Sequence, residues 1–124
     1  MNREIKFRAF IDGEMIQADA LAFEQYEPLS MQLAKCPTLM QYTGLKDKNG
    51  VEIYEGDIMK PVTNYLYKFG NQGAVEYEPD YGGYIVIGEW SKNQHHENLT
   101  CDIAIECEVI GNIHQNPELL TPNQ

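Results

Sequence analysis

Positive charge is scarce in this sequence. Nine lysines and arginines stand against 19 aspartates and glutamates, a formal net charge of -10. A polyanion repels such a chain unless its few cations gather on one face. The one gathering is Arg3, Lys6 and Arg8, so nucleic acid is a disfavoured partner. The acidic excess reads first as solubility. The sharper alternative is an acidic surface for a basic partner or an imitation of nucleic acid, and the long acidic runs that would strengthen it are missing.

Cysteine is scarce too. Cys36, Cys101 and Cys107 are odd in number and lack framework spacing, which argues against a disulfide scaffold and suits a reducing compartment. No apolar run approaches the ~20 residues of a membrane span. The residues after Met1 form no apolar h-region, so the expected location is the cytoplasm. The sequon at Asn98-Leu99-Thr100 then carries no consequence.

What is present is turn chemistry and aromatic strand residues. Ten glycines, six prolines and eight tyrosines in 124 residues fit one β-rich domain with at most one or two short helices. Ile5, Phe7, Ala9 and Ile11 alternate with Lys6, Arg8 and Asp12, as a half-buried strand requires. Phe10 breaks the polar face, which implies a second cover, from residues 19–38 or from another copy of the chain. Asp12-Gly13 is a strong hairpin signal, with a return strand over 14–18. Residues 19–38 read equally as a short helix ending before Pro37 or as a strand and loop.

Further on, 39–42 reads as a strand, Thr43-Gly44 as a bend, and Asp47-Lys48-Asn49-Gly50 as a tight turn in which Asn49 and Gly50 tolerate positive φ. Gly56 and Asp57 form a second bend, Asp57 capping nearby N–H groups. Pro61 limits any strand continuing through it to an edge position. Strands are expected at 65–69, 74–78 and 84–90, then a polar loop over 91–98. Cys101, Ile103, Ile105, Cys107 and Val109 alternate with Asp102, Glu106 and Glu108 and predict a strand broken by Gly111-Asn112, before a helical turn at 117–120. No repeat or low-complexity tract appears. Short strands with glycine turns predict a small barrel or roll, in which closure removes exposed edges.

Residues 40–59, MQYTGLKDKNGVEIYEGDIM, resemble the signature block of the YopX family of phage and prophage proteins. The opening REIKFRAF (3–10) and the closing EVIGNI (108–113) and NPELL (116–120) are similar to the family's ends, with a departure at Phe10, where tryptophan is frequent. The resemblance implies one domain over 1–120: a hairpin and linker over 1–38, an SH3-like β-roll over 39–120, and a tail over 121–124. The family carries no assigned activity, so the resemblance implies no catalytic, cofactor or metal residues.

The residues support none either. An EF-hand fails because Leu45 and Gly56 stand where acidic ligands belong. His95, His96, Cys101, Cys107 and His114 match no zinc spacing. On a strand, Cys101 and Cys107 would lie roughly 20 Å apart. Glu52, Glu55 and Asp57 cluster near the bends but read as solvated or capping groups instead of an acid/base pair. Tyr65, Tyr67, Tyr81, Tyr84 and Trp90 form a candidate interaction surface that could also stack bases. The expected function is a non-enzymatic accessory protein, without cofactor, that contacts a host or phage protein or a second copy of itself. A nucleic-acid-binding barrel is the alternative.

Overall fold

The computed structural model of the chain describes residues 6–17, 38–62, 72–80, 82–88 and 96–120. The expected elements at 19–37, 65–69 and 91–95, and Tyr65, Tyr67, Tyr81 and Trp90, lie outside them. The described residues are mainly β, as expected of a small barrel or roll. They form β1 (Phe7–Ile11), β2 (Glu14–Gln17), β3 (Leu39–Lys46), β4 (Glu52–Tyr54), β5 (Asp57–Pro61), β6 (Gly73–Glu78), β7 (Gly83–Ile87), β8 (His96–Asn98) and β9 (Cys107–Asn112). One helical turn, α1 (Cys101–Ala104), and a 3-10 turn (Pro117–Leu120) complete the list. The strands make two antiparallel sheets, ordered β2-β1-β3-β4 and β8-β7-β6-β5-β9, and one of the two curls into a half-barrel.

The opening hairpin turns on Asp12 (φ 51°) and Gly13 (φ 84°). Two consecutive positive φ values are what a two-residue primed turn demands. At the next turn only Gly50 is left-handed, at φ 80°. Asn49 is not, contrary to expectation. Its N–H instead donates to Asp47 Oδ1 at 2.8 Å. The Thr43-Gly44 bend is a bulge inside a continuous β3, between the Tyr42–Tyr54 and Lys46–Glu52 pairs. There the Thr43 hydroxyl donates to Ile53 O (2.8 Å) and accepts from Leu45 N–H (3.2 Å), replacing missing ladder bonds.

The main core gathers Ile53, Met59, Val75, Val86, Leu99 and Cys107, and a second cluster joins Ile58 and Ala74 to Leu120. Adjacent residues of β5, Ile58 and Met59, are therefore both fully buried. A strand covered on both faces reads as an apolar pair instead of an alternation. Pro61 closes β5 opposite Cys107, beyond the last pair with β6, where its missing N–H removes no ladder bond on that side.

The strand expected from Cys101 to Val109 is not one. Thr100 caps a helical turn, its hydroxyl accepting from Ile103 N–H at 3.3 Å, and Asp102 lies in that first turn. Ala104 is buried and Ile105 is 57% exposed, the reverse of the expected alternation. The strand begins at Cys107 and runs through Gly111 and Asn112. The polar loop ends early as well, since residues 96–98 pair with β7.

Gly56 ties the halves together. Its N–H donates to Val75 O and its carbonyl accepts from Ile113 N–H, both at 2.8 Å. It has φ +85°, and a Cβ there would lie 2.8 Å from Met40 Sδ. Positive φ costs an alanine about 1–2 kcal/mol, and displacing the flexible end of Met40 adds about 1 kcal/mol, the low end of overpacking. Gly56→Ala is therefore expected to lower the unfolding free energy by about 2–3 kcal/mol, read from the urea midpoint.

Candidate functional site

Of the three N-terminal cations, Arg3 lies outside the described residues, and Lys6 and Arg8 are both engaged by acidic side chains. Arg8, expected on a solvated face, is buried: its Nη2 lies 2.6 Å from Asp57 Oδ1, and its guanidinium covers the Tyr54 ring at 4.6 Å. Its buried Nε meets no hydrogen-bond partner among the described residues. Lys6 pairs with Glu52 and lies over the Tyr42 ring. Asp57 caps as expected, its Oδ2 accepting from Tyr54 N–H at 2.8 Å. Burial pushes its carboxyl above the ordinary aspartate value, outweighing the pull of Arg8 and of the Tyr54 N–H.

Asp47, in the same block, accepts three backbone N–H groups. Asn49 (2.8 Å) and Val51 (2.9 Å) reach Oδ1, and Val109 (2.9 Å) reaches Oδ2. One carboxylate thus fixes the hairpin turn and docks it on β9. Asn112 does similar work near the C-terminus, its Oδ1 accepting from His114 and Gln115 N–H. That turn lays His114 flat against Phe10, ring centroids 5.4 Å apart. The Phe10 face inferred to need a cover receives it here from the same chain.

Burial and the nearby Arg8 charge lower the His114 pKa. On acidification the unfolded chain protonates first, at an imidazole value of about 6.5. Stability from this group is full above that pH and is lost as the pH falls toward the folded-state value. His114→Phe keeps the stack and is expected to flatten the decline of the urea midpoint between pH 7.5 and 5.

The acidic candidates for acid/base work are all engaged structurally. Asp57 is 2% exposed, Glu52 pairs with Lys6, and Glu55 Oε1 accepts from Gln41 N–H at 2.7 Å. Cys107 is buried, its thiol pushed up to about 12, whereas Cys101 is exposed at the start of α1. No group of three or more histidine, cysteine or acidic side chains able to hold a metal comes together among the described residues. None of their helices is long and apolar enough to cross a membrane.

The open feature is a seam between the sheets. Two cavities, of about 790 and 590 Å³, follow β3 from Leu39 to Leu45, with β6 and β7 opposite. Glu55 and Tyr77 line both and form their shared waist. The first has an apolar floor of Met40, Val75 and Leu120, with Ile113 and His114 at its C-terminal end. Tyr77 is 48% exposed and Ile113 39%.

Of the aromatic surface expected from sequence, Tyr84 lies in the second cavity, edge-on to Tyr77 at 5.4 Å. Alternation along β6 puts Tyr77 on the same face as buried Val75 and gives no sign of its exposure. Of the turn residues named from sequence, Gly13, Gly50 and Gly56 have φ of 84°, 80° and 85°, and Asp57 is the first residue of β5.

A model of the YopX protein family matches residues 6–121. The crystal structure of protein EF1440 from Enterococcus faecalis is similar at 28% identity and a TM-score of 0.61, over 97% of this chain and 100% of that one. No curated protein matches. The family match takes in every described strand, both buried aspartates and the whole seam, and the chain belongs to the YopX protein family.

Proposed function

We propose that the chain is a phage or prophage accessory protein that works in the cytoplasm of a bacterial host by binding another protein, without catalysing a reaction. The observation that carries this reading is the seam: a cavity with an apolar floor and two exposed large hydrophobics, Tyr77 and Ile113, at its edge. Large exposed apolar side chains around a concave surface are typical of a protein contact. The presence of a curled, half-barrel sheet supports the SH3-like roll that the family resemblance implies.

The engaged state of Lys6 and Arg8 counts against the nucleic-acid alternative, because phosphate binding needs accessible cations. Affinity capture from host lysate tests the proposal. The intact chain is expected to retain a discrete protein that Tyr77→Ala loses. Retention of nucleic acid alone, abolished by moderate salt, would overturn it in favour of the alternative. Light scattering distinguishes a foreign partner from self-association through the same face.

A further inference from the structure

The binding reading leaves the chemistry of the occupant open, and the charge of the seam narrows it. Among the described residues no lysine or arginine lines either cavity. Glu55 sits at the waist between them. Its Oε1 is held by the Gln41 N–H, and its Oε2 has no partner among the described residues. Glu76 lines the first cavity as well. Among the described lining residues, the one group able to carry positive charge is His114, which burial and Arg8 hold toward neutrality. The whole chain is at -10. A carboxylate anchored on one oxygen, between an apolar floor and the Tyr77 ring, is complementary to an ammonium or guanidinium on an aliphatic stem.

Shape sets the rest. The lining on β3 runs from Leu39 to Leu45, a track of roughly 20 Å at ~3.3 Å per residue. That is long enough for an extended peptide of about six residues. We propose that the seam receives an extended segment of a partner protein in which apolar residues alternate with lysine or arginine. The apolar residues contact Met40 and Val75, and one cation reaches Glu55 across the face of Tyr77. This rests on the protein-binding reading above and adds the occupant's charge and form.

Selection of a displayed random dodecapeptide library on the intact chain tests it. Retained sequences are expected to be enriched in lysine and arginine alternating with apolar residues. Glu55→Gln is expected to lose the basic enrichment and keep the apolar one, with about tenfold weaker binding of a wild-type-selected peptide. Val51→Ser, at an exposed site outside the seam, is expected to change neither. Neutral or acidic selected sequences, or basic enrichment unchanged by Glu55→Gln, would overturn this inference and leave the protein-binding reading standing. If no peptide is enriched, the inference also falls, and only the parallel loss of Tyr77-dependent capture from lysate would take the broader reading with it.

Discussion

Asp57→Ala is expected to lower the unfolding free energy by about 3–5 kcal/mol, because it leaves the Arg8 guanidinium buried and unpaired. A chain of this size is stable by roughly 5–15 kcal/mol, so a fifth or more of the total is at stake. The loss belongs to breaking the pair more than to the worth of the pair. Arg8→Met with Asp57→Asn removes both charges and keeps an oxygen for the Tyr54 N–H. That double variant is expected to recover most of the loss, to within about 1–2 kcal/mol of the wild type. Urea unfolding of Arg8→Met, Asp57→Asn and the double gives the coupling energy directly. A double variant as unstable as Asp57→Ala would mean that the pair itself holds the first sheet to β5.

Asp47→Ala should cost a comparable amount, about 3–5 kcal/mol, through a different mechanism. It strips the acceptor from three backbone N–H groups in a side-chain environment only 5% exposed. Asp47→Asn separates the two roles. Its carbonyl oxygen can serve Asn49 and Val51, but its amide then faces the Val109 N–H, and a loss of about 1–3 kcal/mol is expected. Amide hydrogen exchange locates the damage. Asp47→Asn should expose Val109 and spare Val51, whereas Asp47→Ala should expose both.

Both aspartates fall in the block 40–59 whose resemblance identifies the family. In this chain the block acts as a clamp: its turns are set by Gly50 and Gly56, and its carboxylates fasten β9 and β1 to it. Much of that was legible in sequence where the signal is local. Asp12-Gly13, Gly50, Gly56 and Asp57 announce turns because φ and a short side-chain reach determine them within four residues. The 3-10 turn at Pro117–Leu120 was legible for the same reason.

What was not legible depends on distance or on competition between two local signals. Arg8 reads as a surface cation because its partner lies 49 residues away. The alternation from Cys101 to Val109 fits a strand well, but Thr100 and Asp102 form a helix start, and capping prevailed over periodicity for one turn. Tyr77 sits in register with buried Val75, yet the two sheets part at the seam and leave it in the open. The candidate site was thus the least legible part, since a groove between two sheets belongs to neither strand pattern alone.

The central claim is that the family block holds the fold while the seam meets the partner. Capture of a host protein at a temperature where every variant is folded, with Tyr77→Ala beside Asp47→Asn, tests it most directly. Tyr77→Ala should keep its urea midpoint to within about 1 kcal/mol of stability and lose the partner, whereas Asp47→Asn should lose stability and retain the partner. Capture that survives Tyr77→Ala and disappears with folded Asp47→Asn would contradict the claim and move the binding surface to the block itself.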